Sequence, residues 1–114
     1  FLKPFGFLDY NYLQMNAKCV ISDSGTISEE SSILKFPAIT IRNSMERPEA
    51  IDAGTIVLTG FNPQTVLDSI KLVVDEKAEY EKICPEYEVA NTSMRVLKLV
   101  MGTARLHKQW SGLY

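Results

Sequence analysis

Apolar and polar positions in this chain switch between a two-residue and a helical period, and the switches mark its elements. Within Lys18–Ile21, Cys19-Val20-Ile21 is a short apolar run with β-branched Val20 and Ile21. The polar turn Ser22-Asp23-Ser24-Gly25-Thr26 follows, and then helical spacing continues to about Lys35. Pro37 resets the chain, and Ala38-Ile39-Thr40-Ile41 reads as a second strand. Strand, helix and strand in succession predict a βαβ crossover between parallel strands. A short helix opened by Pro48 and ended by Gly54 leads to a third strand, Thr55-Ile56-Val57-Leu58, closed by Gly60.

The flanks carry helices. Phe1-Leu2-Lys3-Pro4 reads as the end of a strand and Phe5-Gly6-Phe7-Leu8 as an apolar loop. Asp9 is placed to cap a helix over Tyr10–Ala17, whose apolar members are Tyr12, Leu13 and Met15. Asn62-Pro63 opens a helix in which Val66, Ile70, Val73 and Val74 keep helical spacing to about Lys77. Charges dominate from Glu76 to Glu88 and Pro85 interrupts them, so a short helix, a kink and an exposed connection are expected. Asn91 or Thr92 then caps a last helix with the apolar stripe Leu97, Val100, Met101 and Ala104, while Arg95, Lys98, Arg105 and Lys108 form a solvated face. Trp110 and Tyr114 leave an apolar tail in need of a partner surface. The fold class read from this pattern is α/β, with parallel strands and flanking helices.

Composition narrows the function classes. With 114 residues the chain is the size of one domain, and its net charge of −2 gives no signal for nucleic acid or an anionic membrane. No apolar run approaches the roughly 20 residues that span a bilayer. There is no signal-peptide pattern, and Phe1-Leu2 in place of an initiating Met suggests the interior of a longer protein. Cys19 and Cys84 lack paired spacing and His107 is the single histidine, so no metal site is expected. Two reduced thiols, Cys84 in a loop before Pro85, fit a cytoplasmic protein.

Two polar loops hold the candidate chemistry. Thr26 and Glu29 have capping-box spacing, which places Ser24, Gly25 and Thr26 where a helix start presents free N–H groups and partial positive charge. That arrangement favours an anion, phosphate above all, and Gly25 allows its close approach. Glu30, one residue deeper, is placed to accept hydrogen bonds from sugar hydroxyls. An ordinary capped helix uses the same residues, and this spacing alone does not separate the two readings. The second loop, Arg42–Glu49, leaves the carboxyl end of its strand on the same rim, where ligands of such sheets bind. Arg42 and Arg47 there match diphosphate oxygens, or else form local ion pairs in a solvated loop. Tyr10 at a helix start either stacks on a planar base or packs over the sheet with Tyr12.

Together, Ser22-Asp-Ser-Gly-Thr-Ile-Ser-Glu-Glu, Phe36-Pro-Ala-Ile-Thr-Ile-Arg-Asn-Ser-Met-Glu-Arg-Pro-Glu-Ala and Ala53-Gly-Thr resemble the non-hydrolysing UDP-N-acetylglucosamine 2-epimerase family. The resemblance is clear from Lys3 to about Gly60. It implies a Rossmann-like parallel sheet flanked by helices, part of the C-terminal domain of a GT-B-type two-domain enzyme: residues 1–90 as a partial UDP-binding Rossmann-like domain, 91–114 as a closing helix and tail, and the N-terminal domain absent. Ser24, Gly25 and Thr26 match the turn that holds the UDP diphosphate, with Thr26 in place of a second glycine. Glu30 matches the ribose-binding acid, Arg47 the phosphate-facing arginine, and Tyr10 and Phe5 positions beside the uracil. The wording of the motifs is similar to the UDP-N-acetyl-L-fucosamine-forming branch, used in O-antigen and capsule synthesis.

The resemblance implies an isomerase that eliminates UDP after proton abstraction at C2, forms a 2-acetamidoglycal, and re-adds UDP with C2 inverted. No cofactor is implied. The acid/base carboxylates belong to the absent domain, so the catalytic set is empty here and the fragment alone is expected to be inactive. A full-length homodimer is expected, and the fragment is expected to expose an apolar face and self-associate. A nucleotide-sugar glycosyltransferase of GT-B architecture and a standalone binding module remain as rival readings.

Overall fold

The structure, a computed structural model, describes residues 1–75 and 84–112. Parallel strands β1 (Val20–Ser22), β2 (Ala38–Thr40) and β3 (Val57–Leu58) form one sheet in that order. Val20 pairs with Ala38, Ile21 with Ile39 and Ser22 with Thr40. Ile39 pairs with Val57 and Thr40 with Leu58. The crossover from β1 to β2 is α2 (Ile27–Leu34), and α3 (Glu49–Asp52) lies between β2 and β3. Before β1 lies α1 (Phe7–Asn16); after β3 come α4 (Pro63–Asp75), a 3₁₀ turn (Pro85–Tyr87), α5 (Thr92–Thr103) and α6 (His107–Trp110).

The central strand is buried throughout, and its alternation feeds two cores. Ala38 joins Ile27, Phe36, Ala50 and Ile56, which ties α2 and α3 to the sheet. Ile39 faces Val73 of α4, with Val57, Val66 and Ile70 around it. The sheet is thus covered by α2 and α3 through one cluster and by α4 through the other, as the α/β reading expects. Lys35 ends α2 in the left-handed region with φ 58°, and turns the chain so that Phe36 enters the core directly.

Several boundaries move. α1 starts at Phe7, so the Phe5–Leu8 stretch is only half loop, and Asp9 sits in the first turn without capping anything. There its carboxylate still complements the helix dipole. β2 stops at Thr40. β3 loses Thr55 and Ile56, because the N–H and hydroxyl of Thr55 both bond the Ala50 carbonyl, at 2.8 and 3.1 Å, and close the turn after α3. Asn91 precedes α5 without a side-chain cap, and the Thr92 hydroxyl donates to Val89 O instead.

The connection before α5 is not wholly exposed. Cys84 is fully buried, its N–H donating to Ser32 Oγ at 2.9 Å, and Tyr87 packs on the α2–α3 core. The expected extension of α4 to Lys77, the first part of the charged connection, and Tyr114 lie outside the described residues. α5 buries none of its residues, so the Leu97, Val100 and Met101 stripe faces outward, and Trp110 is exposed too. No described helix is long and apolar enough to cross a membrane.

Gly60 ends β3 with φ +64°, and a Cβ there would lie 3.1 Å from Asn43 Oδ1. Its N–H donates to Arg42 O, so the turn also anchors the Arg42 loop. Gly60→Ala is expected to destabilise the fold by about 1–2 kcal/mol, the cost of a left-handed non-glycine residue. Urea unfolding measures this, and an unchanged midpoint would show that the turn relaxes freely.

Candidate functional site

The turn between β1 and α2 is built from short hydroxyl side chains bonding their own backbone. Ser22 Oγ accepts the Ser24 N–H at 3.0 Å and Ser24 Oγ accepts the Thr26 N–H at 3.3 Å. Two of the expected free donors are therefore occupied. Among the described residues, the N–H groups of Gly25, Ser28 and Glu29 make no hydrogen bond, so the start of α2 still presents donors and the positive end of its dipole.

The capping box does not form. Thr26 has helical torsions, φ −99° and ψ −3°, and makes no side-chain cap. Its hydroxyl donates to Glu30 Oε1 at 2.9 Å, while Glu29 pairs with Arg47. A charge-assisted contact outcompetes the cap for Glu29 because the docked 42–49 loop brings a guanidinium within reach.

Both arginines of that loop converge on Gly25. A Cβ on Gly25 would stand 3.7 Å from Arg42 Nη1 and 3.7 Å from Arg47 Nη2. Arg47 Nη2 donates to Gly25 O at 2.7 Å. Arg42 forks onto Glu46, Nη1 to Oε2 at 3.0 Å and Nη2 to Oε1 at 2.6 Å. The backbone N–H of Glu46 and the Arg42 fork hold the Glu46 carboxyl below the usual carboxylate range. The local ion pairing that the sequence allowed is thus present. The Arg42–Glu46 pair is exposed and weak.

On the other side of Thr26 stands Glu30. Its Oε2 accepts a hydrogen bond of 2.9 Å from Nε2 of Gln14 on α1. Tyr10, one turn earlier on α1, is close enough that burial and then the Glu30 charge raise its phenol above the ordinary value. Phe5, Tyr10, Leu13 and Gln14 line an open apolar groove of about 320 Å³ that continues to Val20 and Ile21 of β1. Behind α2, buried oxygens of Glu29, Glu49 and Tyr87 have no hydrogen-bond partner among the described residues. Burial first, then Glu29, Cys84 and Glu49, push the Tyr87 phenol up to about 12, against the opposing charge of Arg47.

Two groups of expected residues are therefore assembled. Ser24, Gly25 and Arg47 meet at the β1–α2 turn, and Thr26 and Glu30 join it to the α1 groove of Tyr10 and Phe5. Sequence reasoning missed Gln14 and Tyr87. Gln14 had a legible signal, a lone polar residue between Leu13 and Met15, one helical turn from Tyr10. Tyr87 had none, because its docking depends on tertiary packing. A second hollow of about 400 Å³, lined by Ile21, Ile41, Phe61, Pro63, Val66 and Leu67, carries no charged side chain. Among the described residues no cluster of three or more His, Cys, Asp or Glu is arranged for a metal ion.

The profile of the UDP-N-acetylglucosamine 2-epimerase family matches residues 1–101. The solved structure of UDP-N-acetylglucosamine 2-epimerase from Rickettsia bellii superposes with a TM-score of 0.78 at 41% identity, covering 95% of this chain and 30% of that one. The UDP-GlcNAc 2-epimerase from Neisseria meningitidis, solved bound to UDP-GlcNAc, gives a TM-score of 0.71 at 28% identity, covering 89% and 28%. A Methanocaldococcus jannaschii UDP-N-acetylglucosamine 2-epimerase is 34% identical over 80 residues, 70% of this chain and 22% of that protein. The chain spans less than a third of the length of each of these relatives.

Proposed function

The chain belongs to the UDP-N-acetylglucosamine 2-epimerase family, and from this premise we propose that it supplies the UDP-binding part of a UDP-2-acetamido-sugar 2-epimerase. The observation that carries the reading is the convergence at Gly25: two guanidinium groups and the N-terminus of α2 face one glycine. Such a cradle suits a diphosphate. In this reading Arg47 and the Gly25 N–H hold the diphosphate, with Ser24 and Thr26 shaping the turn. Glu30 accepts from the ribose hydroxyls, and Tyr10 and Phe5 flank the uracil in the α1 groove. Residues 1–90 carry this site and 91–114 form the closing helix and tail of the domain.

The reaction is elimination and re-addition of UDP. A base removes the C2 proton, the C1–O bond breaks with the electron pair leaving on UDP, and a 2-acetamidoglycal remains. UDP then adds back at C1 while C2 takes a proton on the opposite face. Negative charge grows on the diphosphate as C1–O breaks, so Arg47 and the α2 terminus lower the barrier electrostatically. The acid/base groups at C2 come from a second domain of GT-B architecture. The Arg42-Asn-Ser-Met-Glu-Arg-Pro wording and Thr26 favour the fucosamine-forming branch and surface-polysaccharide synthesis in the cytoplasm, by a homodimer.

Calorimetric titration with UDP, uridine and pyrophosphate tests the nucleotide site. Saturable UDP binding supports it, and absence of binding removes it from this chain. Glu30→Gln is expected to weaken UDP about tenfold, as loss of a charged hydrogen bond does, with little effect on pyrophosphate. Equal losses for the two ligands would take Glu30 away from the ribose.

A further inference from the structure

Glu30 is held from two elements at once. Thr26, at the start of its own helix, donates to Oε1 at 2.9 Å, and Gln14 of α1 donates to Oε2 at 2.9 Å. The Gln14 side chain is committed to this contact. The residue is 4% exposed, and its Oε1 is buried without a partner, so the amide leaves an acceptor unmade while its Nε2 reaches the carboxylate. Turning the amide over would set its carbonyl against Glu30, which fixes the orientation.

The Thr26 contact is ordered in the same way. Its single hydroxyl proton goes to Glu30, so the 3.0 Å contact with Ser24 Oγ is donated by Ser24. Ser24 also accepts the Thr26 N–H. A directed chain therefore runs from Ser24 through Thr26 to one oxygen of Glu30, and Gln14 closes on the other.

We propose that Gln14 and Thr26 are positioning residues that clamp the Glu30 carboxylate so that its remaining lone pairs face two neighbouring sugar hydroxyls. The inference rests on the nucleotide reading above and adds to it the residues that set its sugar selectivity. A carboxylate has about four acceptor sites, and one bond to each oxygen leaves about two, the number that a vicinal diol fills. An exposed glutamate otherwise loses side-chain freedom on binding, and a clamped one has already lost it. Thr26 thereby acquires a task that glycine at its position does not have.

The test compares UDP with 2′,3′-dideoxy-UDP on the full chain by calorimetry. Gln14→Leu and Thr26→Val are each expected to weaken UDP about tenfold more than they weaken the dideoxy ligand. Thr26→Ser keeps the hydroxyl and is expected to restore UDP affinity. In a Glu30→Ala background, Gln14→Leu is expected to add no further loss, since its route to the ligand is gone. Equal losses on both ligands, or additive losses with Glu30→Ala, overturn the clamp while leaving the nucleotide site standing. A wild-type chain that binds neither ligand overturns the nucleotide reading and the clamp with it. Should buried Gln14→Leu fail to fold, as near-ultraviolet circular dichroism would reveal, exposed Thr26→Val and Thr26→Ser decide the outcome.

Discussion

Arg47→Ala is expected to weaken UDP binding by about 1.5–3 kcal/mol, the range for a charge-assisted hydrogen bond, while scarcely changing the stability of the fold. The two effects separate because Arg47 is half exposed and its partner Glu29 is only partly buried. A pair of that kind contributes about 0–1 kcal/mol to folding. Its position above Gly25 is another matter. The guanidinium donates to Gly25 O and stands 3.7 Å from the place a Cβ would take, at the mouth of the α2 dipole. Its removal also leaves Glu29 uncompensated beside the incoming phosphates, so repulsion adds to the lost attraction. Arg47→Lys keeps the charge without the planar fork and should fall between the wild type and alanine. Calorimetry with UDP, alongside urea unfolding of the same variants, measures both quantities. Unchanged UDP affinity in Arg47→Ala would exclude the residue from the site, whereas a large loss of stability would recast it as a structural anchor.

Phe36→Ala carries the largest expected effect on the fold, about 3–5 kcal/mol. Phe36 is 1% exposed and packs with Ile27, Ala38, Ala50 and Ile56, where α2, α3 and β2 meet. Two of its four buried neighbours are alanines, so the ring supplies much of the cluster's volume and its loss leaves space that they cannot fill. Domains of this size are typically stable by about 5–15 kcal/mol, so the loss is a large share of the total. The site should feel it as well, because Ile27 opens α2 directly after the turn that carries Ser24, Gly25 and Thr26. Phe36→Leu retains most of the volume and is expected to cost markedly less. Urea unfolding with an unchanged slope would report the stability difference cleanly. A loss below about 1 kcal/mol would mean that the cluster collapses around the missing ring, against the usual cost of such truncations.

The outward stripe of α5 has a physical consequence. Leu97, Val100 and Met101 lie open on a helix with no buried residue, and Trp110 follows on α6. The apolar spacing that predicts a helix there is satisfied, but the surface it would cover is not within the described chain. Exposed apolar surface of this kind favours association with another surface.

Local chemistry was enough to read the β1–α2–β2 unit, both polar loops at the carboxyl ends of their strands, and the candidacy of Ser24, Gly25, Thr26, Glu30 and Arg47. Strand and helix periods, proline and glycine stops, and the preference of a helix start for anions all act over a few neighbouring residues, so they are legible in order along the chain. Only tertiary structure decided the pairings. Gln14 meets Glu30 across 16 positions, Arg47 reaches Gly25 across 22, and the Cys84 N–H finds Ser32 across 52. The same docking overrode one local rule: Thr26 and Glu29 have cap spacing, yet the arrival of Arg47 draws Glu29 away and leaves the Thr26 hydroxyl to Glu30. Which of several available partners a polar side chain takes depends on the charges that packing brings near it, and a residue's neighbours in sequence carry no record of those.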